Sequence, residues 1–436
     1  GRMIDTGDLK YPPTALIEPA TGRCVGVYLA DPVKLACALV WLDGTAARLI
    51  LISHDTAPEL AARLFARAGG ELLVTDDPDG ATHVDGAMLD WGAAQPMDSA
   101  REDWPVPTGV IATEWVLATS GTTSEPKLVC HSLDSLTRTT SRNRDVGRRH
   151  RWGEMYEICR FAGLQVYLQA LLSGSALILP DLGQPIEAQV AMLADHSCTA
   201  LSATPTMWRK ILMTSAVERL ALAQVTLGGE IADAAILNAL ASRFPRARIV
   251  HIYASTEAGA AFAVTDGRPG FPAAYLEQPP KGIHLKVVDD QLYIQNTRVA
   301  SRYLGDAKAF ADDEGYVATG DLVTRAGDRF LFLGRASGSI NVGGNKVMPE
   351  EIERVLLDHP AVHLARVSGK ANPIIGQLVV ADVVLGADGA AGWSDPAKAL
   401  KQHCAARLER WKVPAMIRIV PHLEIGSGGK VDRIQP

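Results

Sequence analysis

Between Thr119 and Lys127 the chain reads Thr-Ser-Gly-Thr-Thr-Ser-Glu-Pro-Lys, small hydroxyl residues around a glycine, closed by a cation. The apolar residues 115–118 before it are expected to form a buried strand. A strand opening into such a run has the outline of a phosphate-handling loop. Gly121 permits a tight turn, and the hydroxyls of Thr119, Ser120, Thr122 and Thr123, with nearby N–H groups, can hold anionic oxygens. Lys127 adds positive charge at the far end. The spacing is not Gly-x-x-x-x-Gly-Lys-Ser/Thr, so this is no Walker loop. Taken alone, the stretch could equally be a Ser/Thr-rich surface turn.

Such a loop needs elements to hold it. Residues 24–29, 49–52 and 72–75 are strand-like, and 32–42 and 58–68 carry helical spacing, with Leu60, Leu64 and Phe65 on one side of the second. That alternation predicts a parallel sheet with crossover helices. Residues 93–109, rich in Pro, Ala and charge, read as a connector. The alternation resumes with a helix at 164–172, a strand at 176–179, a helix at 186–196 and a strand at 199–202 that ends at Ala203-Thr204-Pro205-Thr206. Strands at 225–227 and 248–252 run into Gly228-Gly229-Glu230 and Tyr253-Ala254-Ser255-Thr256-Glu257. Polar segments thus recur at carboxyl ends of strands, where open α/β sheets place their ligands. After Gly282, short strands at 284–288, 291–294 and 329–333 predict a small antiparallel sheet. A compact unit comes next: a helix at 349–357, strands at 364–367 and 378–385, and a helix at 396–408. The expected fold class is α/β. A large N-terminal domain (1–334) of parallel and mixed sheets with flanking helices and the small antiparallel sheet precedes a hinge at 335–338 and a small α+β C-terminal domain (339–436).

Length and composition set the frame. A chain of 436 residues, 47% hydrophobic and 21% charged, can bury large cores and is expected to divide into domains. A net charge of −6 gives no reason to expect nucleic acid or an anionic membrane as partner. The basic stretch 142–151 (Arg142, Arg144, Arg148, Arg149, His150, Arg151) reads as a solvated face or loop. Six cysteines without a Cys-x-x-Cys pair are expected to be free thiols in a reducing cytoplasm. No apolar run reaches the ~18 residues of a membrane span, no secretory signal is expected, and Gly1-Arg2 ahead of Met3 reads as an expression remnant.

In order along the chain stand the Thr119–Lys127 loop, Gly228-Gly229-Glu230, Tyr253-Ala254-Ser255-Thr256-Glu257 and Tyr316-Val317-Ala318-Thr319-Gly320-Asp321. Gly334-Arg335, Asn341-Val342-Gly343-Gly344-Asn345-Lys346 and Gly428-Gly429-Lys430-Val431 complete the set. Together they resemble the adenylate-forming enzymes: acyl- and aryl-CoA synthetases, peptide-synthetase adenylation domains and luciferases. The resemblance implies ATP-dependent activation of a carboxylic acid to an acyl-AMP with loss of pyrophosphate, then acyl transfer to CoA. The alternatives are a carrier-protein phosphopantetheine, or another nucleophile such as an amine. A non-catalytic nucleotide- or acyl-CoA-binding relative is the rival of another class, and the presence of Lys430, Glu257 and the Thr119 loop speaks against it.

The resemblance also assigns roles. The Thr119–Lys127 loop would hold the β- and γ-phosphates, Thr256 would bond the α-phosphate, Glu257 would hold Mg²⁺, and Ser255 and Ala254 would belong to the ATP/AMP-binding set. Gly228, Gly229 and Glu230 would lie against the adenine, with Tyr253 stacking on its other side. Asp321 would accept the ribose hydroxyls, and Arg335 would lie near ribose and phosphate. Lys430 would bridge carboxylate and α-phosphate. The mobile C-terminal domain would rotate about Ser337 to exchange Lys430 for Gly343 and Gly344, which would line a thiol tunnel.

Three departures stand out. Ser124 replaces a glycine of the loop, Ser337 replaces a charged hinge residue, and the N-terminal part is short. The short part leaves a flank uncovered, which a homodimer or an unusual pocket rim would account for. The acyl pocket is expected among Arg160, Phe161, Gly163, Thr204, Gly228 and Ala254. Phe161 stands where amino-acid-activating members carry Asp, so an α-amino acid is not expected. With Tyr167 and Met207 it suggests an aryl or small hydrophobic acid.

Overall fold

The computed structural model describes residues 2–5, 14–81, 83–91, 111–119, 126–256, 259–280, 282–296, 302–304, 311–373, 375–386 and 393–423. Two seven-stranded sheets carry the first part of the chain. One runs in the order Arg302–Tyr303, Leu128–Ser132, Glu114–Ala118, Arg48–Leu51, Cys24–Tyr28, Leu72–Thr75, Ala87–Asp90. The other runs Arg2–Asp5, Ala176–Leu179, Arg151–Glu154, Ala200–Ala203, Gln224–Gly228, Arg248–Ser255, Gly259–Val264. The central strands of both are parallel; antiparallel strands close both edges of the second sheet and one edge of the first, whose other edge, Ala87–Asp90, is parallel. This is the expected α/β class. Arg2 pairs with Leu179 in the Arg2–Asp5 edge strand.

One apolar core joins the two large sheets and contains the helices Pro32–Leu42 and Phe161–Ser173. Helix Pro32–Leu42 starts where Asp31 accepts from the Val33 and Lys34 N–H groups and Pro32 supplies a ready-made first turn. Seven of its eleven residues are buried, which is why it is apolar nearly all round. Tyr167 belongs to this core: it is 1% exposed and donates its hydroxyl to the Ala36 carbonyl (2.7 Å), tying the two helices together.

Glu154 is the exception within the buried layer. It is 2% exposed; one carboxyl oxygen accepts from the Tyr156 N–H (3.1 Å), and the other has no partner among the described residues. Burial drives its pKa well above the usual carboxylate range. The fold therefore keeps a proton that the unfolded chain releases, so stability falls as pH rises above about 4.3. Glu154→Gln keeps the shape and removes the titration. Its stability advantage over the parent is expected to grow between pH 5 and 8, by up to about 1.4 kcal/mol per pH unit. Urea unfolding at both pH values reads this, and an equal difference at the two would show an ionised, compensated carboxylate.

A five-stranded antiparallel sheet comes next: Phe271–Pro272, Arg329–Arg335, Tyr316–Ala326, Gln291–Asn296, Ile283–Val288. The chain leaves it through the 3-10 turn Ala336–Gly338 and enters a fourth sheet built on the hairpin Val362–Asn372 and Gly376–Leu385. Met416–Ile419 joins that sheet in parallel, and the helices Pro349–Leu357 and Pro396–Ala405 complete its core. Two strands that sequence patterning did not suggest, Leu128–Ser132 and Arg151–Glu154, carry the polar residues His131 and Glu154 inward. No helix among the described residues is long and apolar enough to cross a membrane.

Candidate functional site

The carboxyl ends of the second sheet open into a continuous cavity of about 2120 Å³. Its wall includes Ala118, Thr119 and Lys127, the Gly228–Glu230 segment, Tyr253 to Thr256, Asp321 and Arg335. Segments more than two hundred residues apart thus meet around one space.

The base of the Thr119–Lys127 loop is pinched shut by two hydrogen bonds. Thr119 N–H donates to the Lys127 carbonyl (2.8 Å), and Lys127 N–H donates to Thr119 Oγ1 (3.1 Å). The Lys127 ammonium lies 4.6 Å from the centroid of the Tyr303 ring. Ser120, Gly121, Thr122 and Thr123 lie outside the described residues, as do Glu257, Lys430 and Ser124.

At the next strand end Thr204 caps the helix Pro205–Leu212, accepting from the Met207 N–H (3.1 Å). Glu230 accepts from the Thr206 N–H (2.9 Å), so two side chains serve one helix N-terminus. Gly229 has φ +80°, a conformation that opens the turn after the strand and that side chains disfavour. Strand Arg248–Ser255 runs three residues further than expected and carries a register shift between Tyr253 and Ala254. Such a shift bends the strand and re-aims the residues beyond it, so that Ser255 and Thr256 reach the cavity.

Tyr253 and Asp321 meet where the second and third sheets adjoin. The Tyr253 ring is stacked on Phe262 (5.2 Å, 14°) and on Phe332 (5.0 Å, 2°). The expected base-stacking ring is therefore already packed against two phenylalanines. Its hydroxyl donates to Asp321 Oδ2, and Arg335 Nε donates to Asp321 Oδ1 (3.1 Å). Burial, reinforced by the Asp321 charge, raises the Tyr253 pKa well above its ordinary value, so the phenol remains the donor. The Asp321 side chain is 17% exposed. It stands as an acceptor held from both sides at the cavity edge.

The expected acyl pocket is corrected in three places. Phe161, Arg160, Thr204, Gly228 and Ala254 line the cavity; Gly163, Tyr167 and Met207 do not. Gly163 lies where the Phe161–Ser173 helix begins, and a Cβ there would sit 2.2 Å from the Glu157 carbonyl oxygen. It is glycine for close packing, and Gly163→Ala is expected to cost about 1–3 kcal/mol, read as a lower midpoint of urea unfolding. Arg160 pairs with Glu157 (3.1 Å), which also accepts from Ser53 Oγ (2.7 Å). Gly343 and Gly344, expected at a thiol tunnel, form the tip of the hairpin Ile340–Val342/Asn345–Val347, with φ +60° and +91°, and do not line the cavity. From this part of the chain the lining comes instead from Ser337, Glu350, Arg354 and Ser368.

Sequence reasoning missed the deeper lining: Gln165, Gln169, Ser202, Gln224 and Thr226. The signal was present. Phe161, Gln165 and Gln169 recur every fourth residue along one helical face, and Ser202 and Thr226 alternate with the buried Leu201 and Val225.

Comparison with known proteins agrees with this architecture. The AMP-binding enzyme family matches residues 42–301, and the AMP-binding enzyme C-terminal domain matches 351–430. A probable non-canonical nonribosomal peptide synthetase, CymA, of Salinispora arenicola is 25% identical over 99% of this chain and 6% of its own length. A 2-succinylbenzoate–CoA ligase of Geobacillus kaustophilus is 26% identical over 84% of this chain and 77% of its own. The chain spans 27% or less of the first curated relatives it matches. The structure of o-succinylbenzoate CoA synthetase from Bacillus subtilis, in complex with an acyl-adenylate intermediate, superposes with TM-score 0.71 at 19% identity, covering 96% of this chain and 90% of that one. With the site's segments in the family's order and the first match alone spanning more than half of its residues, the chain belongs to the AMP-binding enzyme family.

Proposed function

We propose that the chain uses ATP to convert a carboxylic acid to an acyl-AMP and then passes the acyl group to a pantetheine thiol, that of CoA first. One observation carries this reading: Thr119, Lys127, Gly228–Glu230, Tyr253–Thr256, Asp321 and Arg335 converge on one cavity that continues into a deep pocket beside Phe161. In the first step a carboxylate oxygen attacks the α-phosphorus and the bond to the bridging oxygen of pyrophosphate breaks. Charge gathers on phosphoryl oxygens, which fixed donors and cations stabilise. Thr119, Lys127 and Thr256, which line the cavity, are proposed as those donors, and Asp321 as the acceptor for the ribose hydroxyls. Lys430 is the cation proposed to join the carboxylate to the α-phosphate, and Glu257 the ligand for Mg²⁺, whose charge would offset that of the departing pyrophosphate. In the second step the thiolate attacks the acyl carbon and AMP leaves.

The unit beyond Arg335 is proposed as a separate lid turning about Ser337, which would bring Gly343 and Gly344 to the site for the second step. A carrier-protein acceptor is the second reading, supported by the relative named as a probable nonribosomal peptide synthetase. The free thiols of all six cysteines fit a cytoplasmic setting, and a homodimer is proposed. The test is ATP–pyrophosphate exchange across aryl, short, long and amino acids, followed by AMP release with and without CoA. Acid-dependent exchange with CoA-dependent AMP release is expected. Exchange with AMP release that ignores CoA moves the acceptor to a carrier protein. No exchange with any acid overturns the reading.

A further inference from the structure

The cavity does not stop beside Phe161. It continues as a channel whose floor is the three strands Ala200–Ala203, Gln224–Gly228 and Arg248–Ser255. The helix Phe161–Ser173 forms one wall and the strand Gly259–Val264 the other. The segment Arg138 to Ser141 roofs it and is fastened to both walls. Arg138 donates to the Ala260 carbonyl (2.5 Å), and the Ser141 N–H donates to Gln169 Oε1 (3.0 Å).

Floor and helix contribute lining at every level. Gly228, Ile252 and Phe161 lie at the top, Thr226, Val250 and Gln165 in the middle, and Gln224, Arg248 and Ser173 at the bottom. Gln224 to Gly228 is four strand steps, so the channel runs about 13 Å. It ends at the surface, where Val146 (47% exposed) and the exposed Arg248 line it beside Gly147 and His150. That end is basic. Arg144, Arg148 and Arg149, exposed in the segment that supplies Val146, Gly147 and His150, have no ion-pair partner among the described residues, nor has Arg248. Asp145 is the acidic residue in that segment.

We infer that the substrate is an elongated acid, apolar next to its reacting carboxyl and anionic at its far end, which emerges at the Arg248 mouth. This rests on the adenylation reading. Phe161, Val166, Val250 and Phe262 suit an apolar segment near the reaction, and Gln169, Gln224 and Arg248 suit a charged terminus. The basic stretch 142–151 then has a place in the fold: three of its residues, Val146, Gly147 and His150, line that end of the cavity. A chain of about ten atoms spans the channel.

The test is pyrophosphate exchange with α,ω-dicarboxylic acids and monocarboxylic acids of matched length, from short to about twelve carbons, in the parent, Arg248→Glu and Arg248→Lys. Calorimetric binding of the same acids without ATP runs alongside. The expected result is preference for long diacids over equal-length monoacids, reduced about tenfold by Arg248→Glu and restored by Arg248→Lys. Preference for short acids or for monoacids, or a diacid preference unmoved by Arg248→Glu, overturns the channel proposal and leaves adenylation standing. Should no acid support exchange, the adenylation reading fails and binding decides the channel. Diacid binding weakened by Arg248→Glu and restored by Arg248→Lys upholds it, and indifference to both overturns it.

Discussion

Asp321→Ala is expected to lower kcat/KM for ATP in pyrophosphate exchange by about a hundredfold or more, mostly through KM. The carboxylate is the proposed acceptor for two ribose hydroxyls, and a hydrogen bond to a charged group contributes about 1.5–3 kcal/mol. Losing two exceeds one factor of ten by a wide margin. The substitution also removes the carboxylate that accepts from the Tyr253 hydroxyl and Arg335 Nε, which hold Asp321 from either side. Two comparisons separate binding from packing. Tyr253→Phe removes one support and keeps the acceptor, so its KM for ATP is expected to change by less than about fivefold. Asp321→Asn keeps the shape and one acceptor oxygen, and is expected to fall between the two. An Asp321→Ala enzyme with unchanged KM for ATP would remove Asp321 from the nucleotide site.

The second large effect is expected from Lys430→Ala. A cation placed where charge develops on the α-phosphate and the attacking carboxylate contributes most in the transition state, so adenylation should slow by about a hundred- to a thousandfold at saturating substrates. On the proposed rotation of the lid, thioester formation from a supplied acyl adenylate uses the other orientation and should be largely spared. Measuring the two half-reactions separately checks this, and equal loss of both would show that Lys430 acts on the fold or on a shared step.

Much of the frame is legible in the sequence because local and tertiary demands agree. The helices Pro32–Leu42 and Pro349–Leu357 have the limits their sequences predict: each begins at a proline, and the first has Asp31 as a side-chain cap. Strands Leu72–Thr75 and Ala176–Leu179 are equally clear, short apolar runs between polar turns. Sequence patterning fails where a residue type has more than one use. Tyr167 suggests a pocket, yet its hydroxyl reaches the Ala36 carbonyl in the core. Gly163 suggests room for a substrate, yet it marks where the chain passes its own backbone. Strand Arg151–Glu154 is hidden because a charged terminus and a buried acid break the alternation on which strand recognition relies.

The sequence by itself determined the inventory and its order: the hydroxyl loop, the glycines, Tyr253 to Glu257, Asp321, Arg335 and Lys430, set between strands and helices in βα alternation. Those features are local, since a turn, a cap or a crossover is specified by a few neighbouring residues. Only the tertiary structure decided which residues share a space. It stacked Tyr253 on Phe262 and Phe332, joined Asp321 to Arg335, and turned Gln165, Gln169, Ser202 and Thr226 into one channel ending at Arg248. Those relations depend on strand order and on which helix covers which face. They arise from burying every apolar surface of the chain at once, a condition that no short stretch contains.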